Sequence, residues 1–161
     1  MITLVVGGAR SGKSELAERL VARLPPPVTY IATGLPSDPE IAARIAAHRD
    51  RRPPAWATVE AADLVAAVAD AQGSILVDAL GTWVARAAGF AVDIDGFLDA
   101  LTGRTGDAIV VSEEVGLGVH PSTDVGRHFR DALGVVNRRV AEVASEVFLV
   151  VAGRALRLDR V

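Results

Sequence analysis

Residues 7–14 read Gly7-Gly8-Ala9-Arg10-Ser11-Gly12-Lys13-Ser14, a full match to the phosphate-binding loop pattern G-x-x-x-x-G-K-[ST]. No other stretch constrains the fold as tightly. Such a loop works between a buried strand and a helix N-terminus, where backbone N–H groups form an anion cradle. The flanks supply both elements. Ile2-Thr3-Leu4-Val5-Val6 is a continuous apolar, β-branched run, the pattern of a strand covered on both faces of a parallel sheet. From Ser14 the pattern turns helical, with Leu16, Leu20 and Leu24 on one stripe and Glu15, Glu18, Arg19 and Arg23 off it. Pro25-Pro26-Pro27 is expected to stop that helix. Lys13 is the only lysine beside sixteen arginines. Its compact ammonium suits the β- and γ-phosphates where a planar guanidinium would fit differently. A dinucleotide fingerprint is excluded, because the loop reads G-x-A-x-x-G and no acidic residue closes the second strand near Thr33. The loop therefore predicts a nucleoside triphosphate site.

The rest of the chain alternates strand and helix signals. Val28-Thr29-Tyr30-Ile31-Ala32 reads as a second strand, leading into the loop Thr33-Gly34-Leu35-Pro36. Ser37-Asp38-Pro39-Glu40 has capping-box spacing with proline in the first turn, so a helix is expected there, carrying Ile41, Ile45 and His48 on one face. Arg51-Arg52-Pro53-Pro54 should break it. A short strand over Trp56–Val59 and a helix across Asp63–Ala71 follow. Ser74-Ile75-Leu76-Val77 is a buried strand ending in Asp78, Thr82–Ala88 is helical, and Ile94–Leu101 is a further helix. Ala108-Ile109-Val110-Val111 delivers Ser112, Glu113 and Glu114 into a Gly116-x-Gly118 loop. A long helix over about Asp124–Ser145 precedes Val147–Val151, expected to close the sheet. The predicted fold class is α/β, P-loop NTPase-like, a mostly parallel sheet with helices on both faces. At 161 residues the chain is expected to form one domain over 1–161.

Composition narrows the function classes. Half the residues are hydrophobic and only 4% aromatic, so the core should be built from Ala, Val, Leu and Ile. A net charge of −3 and sparse aromatics argue against nucleic acid as a partner. Zero cysteines exclude a disulfide scaffold and a thiolate metal site, and fit a cytoplasmic enzyme. No apolar run reaches the roughly 18 residues of a membrane span, and no signal peptide precedes the first strand.

In such a sheet, ligands sit at the carboxyl ends of the strands. That rule gathers Thr33, Asp78, Glu113 and Glu114 around Lys13 and Ser14. Lys13 should neutralise the transferred phosphates and Ser14 should ligate Mg²⁺. Asp78, at the end of an apolar strand, is the candidate second metal ligand, with Glu114 as runner-up; a turn-capping role for Asp78 stays open. Arg44, His48 and Arg52 lie at i, i+4 and i+8, with Arg49 and Arg51 beside them. Such a stripe would bind nucleotide phosphates and depress the imidazole pKa, leaving a neutral nucleophile at pH 7. It would equally serve as a solvated basic helix face, and spacing does not decide between the two. His120, before Pro121, reads as a surface loop residue, and His128 as part of the long helix.

These residues resemble a known family along nearly the whole chain: the bifunctional adenosylcobinamide kinase/adenosylcobinamide-phosphate guanylyltransferases of cobalamin biosynthesis. The resemblance rests on the loop at 7–14, on Tyr30-Ile31-Ala32-Thr33, and on Arg44-Ile45-x-x-His48-Arg49 with Arg52-Pro53. It continues through Trp56-x-Thr58-x-Glu60, Leu76-Val77-Asp78 and Glu114-Val115-Gly116-x-Gly118 with Pro121. Arg127-x-Phe129-Arg130-Asp131-x-x-Gly134-x-x-Asn137 completes it. The resemblance implies phosphorylation of the corrinoid's hydroxyl from a nucleoside triphosphate, ATP or GTP. Transfer of GMP from GTP through a GMP–histidine on His48 would follow, giving adenosylcobinamide-GDP and pyrophosphate. It implies nucleotide contacts from Gly7, Gly8, Ala9, Arg10, Ser11, Gly12, Lys13, Ser14, Ala32, Thr33, Gly34, Arg49, Asp50, Arg51, Arg52, Glu60 and Asp78. A homo-oligomer, with a trimer as its expected form, is also implied.

Two departures bear on activity. The family usually reads Asn-Glu-Val-Gly where this chain has Glu113-Glu114-Val115-Gly116, which adds a negative charge near the phosphates. The chain is also short between Ala71 and Ser74 and between Asp93 and Asp107. Both support the guanylyltransferase half better than the kinase half. A guanylyltransferase without the kinase step, a small-molecule kinase without guanylyl transfer, and a nucleotide-binding regulatory module are the alternatives.

Overall fold

The structure is a computed structural model that describes residues 1–34 and 53–161. The helix expected from Ser37 to the Arg51-Arg52 break, with Arg44 and His48 on it, lies outside the described residues.

The strands β1 (Ile2–Gly7), β2 (Val28–Ala32), β3 (Ala57–Glu60), β4 (Ser74–Asp78), β5 (Ala108–Glu113), β6 (Glu146–Val151) and β7 (Arg154–Leu158) form one sheet in the order β3-β2-β4-β5-β1-β6-β7. All neighbours are parallel except β6 and β7. The mostly parallel α/β expectation holds. β6 does not close the sheet, however, because the chain turns at Ala152-Gly153, both at positive φ, and adds β7 as an antiparallel edge. That pair of left-handed residues is what a two-residue hairpin turn requires. β7 carries Arg154 and Arg157 among exposed apolar residues, so no long apolar run announced it.

Among the described residues five α-helices cover the sheet unequally. On one face α1 (Lys13–Val21) packs on Val5, Tyr30, Leu76, Ile109 and Val111. On the other, α2 (Leu64–Asp70), α3 (Leu80–Arg86), α4 (Ile94–Gly103) and α5 (Asp124–Val143) bury Leu4, Ile31, Val77 and Val110. Buried aliphatic side chains of this kind contribute about 1.5–3 kcal/mol each. α1 ends at Val21, before the prolines, and its buried residues are Ala17 and Val21; Leu16, Leu20 and Leu24 flank them, partly buried. The small side chains let the helix sit close to the sheet. The core is aliphatic as composition requires, with Phe97 as its largest fully buried side chain. Phe97 meets Trp83 at 5.1 Å between ring centroids, which joins α4 to α3.

Helix starts separate into two kinds. Asp63, Asp93 and Thr123 cap α2, α4 and α5, accepting from the N–H groups of Ala66, Gly96 and Gly126. The N-cap residues of α1 and α3, Gly12 and Ala79, provide no side-chain cap. These two starts lie at the carboxyl ends of β1 and β4.

Candidate active site

Register brings the site together. β1 and β5 pair with Gly7 opposite Glu113, while β2 and β4 pair with Ala32 opposite Asp78. The phosphate loop therefore leaves β1 beside the end of β5, one strand from β4. Gly12 sits at φ 93°, a left-handed conformation that glycine adopts without steric cost, and opens α1 directly into Lys13. The hairpin turn braces the loop from the other side, with the Gly153 N–H donating to the Ser11 carbonyl at 2.8 Å. Ser11 is buried, and its hydroxyl has no hydrogen-bond partner among the described residues.

Lys13 and Ser14 project from the first turn of α1 toward two carboxylates. The Ser14 hydroxyl donates to Asp78 Oδ1 at 3.5 Å, and the Tyr30 hydroxyl donates to Asp78 Oδ2 at 2.6 Å. Lys13 Nζ donates to the Gly8 carbonyl at 3.3 Å and stands 3.7 Å from Glu113 Oε1. The other Glu113 oxygen accepts from the Gly81 N–H at 3.0 Å, which caps α3 from a neighbouring strand. A Cβ on Gly81 would lie 2.0 Å from that oxygen, so glycine at 81 is what lets the carboxylate seat there. Burial pushes the Glu113 carboxyl above the usual carboxylate range, and the nearby Asp78 charge adds to this; Lys13 and the Gly81 N–H oppose it. Asn137 on α5 fixes the strand end by donating to the Glu113 carbonyl at 3.0 Å and accepting from Ser112 Oγ at 2.5 Å.

The expected residues fall into three groups. Gly7 to Ser14 and Asp78 converge. Thr33 is buried and its hydroxyl accepts from the Ala79 N–H at 3.0 Å and contacts Thr82, so its side chain organises the β4–α3 turn. Its carbonyl accepts from Arg86 at 2.8 Å. Ala32 and Gly34 flank it at the end of β2. Glu60 lies exposed at the end of edge strand β3, four strand spacings, about 19 Å, from β1. Glu114 turns into its own loop, accepting from the Gly116 N–H at 2.6 Å, while its backbone N–H reaches the Gly7 carbonyl. His48, Arg49, Asp50, Arg51 and Arg52 lie outside the described residues. His120 is an exposed loop residue with Nδ1 2.9 Å from Arg130, and His128 is exposed on α5. Sequence reasoning gave no role to Tyr30, Gly81 or Asn137. The signal for Tyr30 was available, as the single tyrosine of the chain set inside a buried strand.

A divalent cation fits this donor set. Among the described residues no group of three His, Cys, Asp or Glu side chains could hold a metal. One hydroxyl and one carboxylate converge beside an anion cradle instead, the sparse protein ligation that Mg²⁺ takes when phosphates and waters complete its shell.

Fold and loop together define a P-loop α/β protein built to bind a nucleoside triphosphate. Solved structures agree on the fold. The flagellar accessory protein FlaH from Methanocaldococcus jannaschii matches with a TM-score of 0.53 at 16% identity, over 98% of this chain and 77% of that one. The VirB11 ATPase of the Brucella suis type IV secretion system matches with a TM-score of 0.52 at 17% identity, over 98% and 47%. Sequence comparison goes further. The chain belongs to the cobinamide kinase/cobinamide phosphate guanyltransferase family, whose profile matches residues 3–158. The bifunctional adenosylcobalamin biosynthesis protein CobP of Pseudomonas aeruginosa is 40% identical, over 98% of this chain and 97% of the relative. CobU proteins of the same description from Salmonella typhimurium and Escherichia coli are 37% and 35% identical, each over 98% of this chain and 99% of the relative. No helix among the described residues is long and apolar enough to cross a membrane.

Proposed function

We propose that this protein phosphorylates adenosylcobinamide and then transfers GMP from GTP to the phosphate so formed, releasing pyrophosphate. The observation that carries the reading is the full-length family match, joined to a phosphate loop whose Lys13 and Ser14 face Asp78. In the first step the acceptor hydroxyl oxygen bonds to the γ-phosphorus of the triphosphate and loses its proton to solvent, as the bond to the β–γ bridging oxygen breaks and the nucleoside diphosphate leaves. Lys13 balances charge on the β- and γ-phosphates, and the N–H groups of Gly7 to Ser14 cradle them. Ser14 and Asp78 would hold Mg²⁺, which neutralises phosphate charge when bound.

In the second step the His48 imidazole bonds to the α-phosphorus of GTP and pyrophosphate leaves. A phosphate oxygen of the phosphorylated corrinoid then displaces the histidine, so that a difficult transfer becomes two easier ones. Arg49, Arg51 and Arg52, with Asp50 among them, would surround the polyphosphate, and Ala32, Thr33, Gly34 and Glu60 would line the nucleoside side. The chain would act as one domain, in the cytoplasm, within a homotrimer.

The test is incubation with Mg²⁺ and GTP labelled at the α- or γ-phosphate, with the denatured protein then examined for label. Acid-labile, alkali-stable label from the α position alone, absent in His48→Ala, is the expected result. GTP bound without label would leave a kinase or a binding module. Transfer of γ-phosphate to adenosylcobinamide in the same preparation tests the kinase step, and its absence would leave the guanylyltransferase alone.

A further inference from the structure

Glu113 ends β5 beside the phosphate loop, and its carboxylate lies 3.7 Å from the lysine that must meet the phosphates. It is not a surface carboxylate that drifts aside: the Gly81 N–H holds Oε2 at 3.0 Å, and Asn137 holds the Glu113 backbone carbonyl at 3.0 Å. Among the described residues Lys13 is the cation paired with it, and the Lys13 side chain is only 12% exposed. A triphosphate arriving in the loop thus meets a lysine already paired and an anchored negative charge beside it.

We propose that Glu113 is a positioning residue that restrains triphosphate binding: it pairs with Lys13 and competes with the β- and γ-phosphates for that ammonium. The restraint acts only on nucleotides long enough to reach Lys13. Affinity is thereby traded for release, which suits a site that must load and discharge nucleotides. The inference rests on the reading of the loop as a triphosphate site, but on neither the corrinoid nor His48.

The experiment is calorimetric titration of the full-length protein with Mg·GTP, Mg·GDP and GMP, for the wild type, Glu113→Gln, Glu113→Asn and the charge-retaining Glu113→Asp. Removing the charge should tighten Mg·GTP about tenfold, equivalent to about 1.4 kcal/mol. Mg·GDP should gain less, GMP nothing, and Glu113→Asp should gain nothing for any of them. The gain in the neutral variants should shrink as salt is raised, since it is electrostatic. Unchanged or weaker Mg·GTP binding in folded Glu113→Gln and Glu113→Asn would overturn the proposal. So would an equal gain for GMP, or failure of both variants to fold, which would make Glu113 a cap of α3 and nothing more. A wild type that binds no Mg·GTP would instead sink the triphosphate reading itself.

Discussion

At the end of β4 the Asp78 carboxylate accepts from two neutral hydroxyls, Tyr30 at 2.6 Å and Ser14 at 3.5 Å. At the end of β5 the Glu113 carboxylate faces an ammonium at 3.7 Å and a backbone N–H at 3.0 Å. Both are acids that finish an apolar strand beside the same loop, yet the partners described around them differ. Among the described residues, two hydroxyl donors orient the Asp78 carboxylate. Glu113 spends its charge on Lys13, and burial raises its pKa. The type of residue at a strand end is therefore a weak guide to role; the partner decides.

Three measurements bear on that contrast. The largest effect is expected from Asp78→Asn, which keeps the shape and removes the charge. Phosphoryl and guanylyl transfer should each fall at least about a hundredfold in kcat, with a raised Mg²⁺ requirement. An unchanged kcat would move the metal role to Glu114. Tyr30→Phe should cost less. Loss of one charge-assisted hydrogen bond, about 1.5–3 kcal/mol, allows a drop of about tenfold in kcat with a lesser change in KM. No change at all would mean that Asp78 keeps its orientation without the Tyr30 hydroxyl.

The smallest effect concerns stability against pH. Glu113 has a folded pKa raised above its unfolded value, so the native state binds the proton more strongly. This penalty is absent below the unfolded pKa and grows as pH rises from there through the folded pKa. Wild type should thus lose stability relative to Glu113→Gln as pH climbs above about 4.5, the ordinary glutamate value. The melting-temperature gap between them should move in that direction across this range and level off once Glu113 is ionised in the folded state. A gap that moves the opposite way would show that Lys13 and the Gly81 N–H outweigh burial.

Much of this was readable along the chain, for a physical reason. The phosphate loop, its strand and its helix are contiguous, so each interaction that defines them runs between near neighbours. Asp63, Asp93 and Thr123 cap their own helices three residues on, again a local matter. The expectations that shifted depend on distant partners. α1 stopped at Val21, not at the prolines, and α3 began at Leu80 instead of Thr82, because its first turn is held by Glu113, 32 residues away. Tyr30 meets Asp78 across 48 residues, a separation that carries no periodic signal. Edge strand β7 lacked the apolar run of a central strand, since an edge need not be buried on both faces.

By itself the sequence determined the chemistry of the cradle. One lysine, a glycine loop and a buried strand admit a triphosphate site and little else, because local backbone geometry and the charge of Lys13 are set by adjacent residues. The order of motifs likewise determined the family. Only the tertiary structure decided which partners each acid meets. Parallel pairing opposes Gly7 to Glu113 and Ala32 to Asp78. Register between strands far apart in the chain, not the composition of either strand, sets which carboxylate meets the ammonium and which meets the hydroxyls.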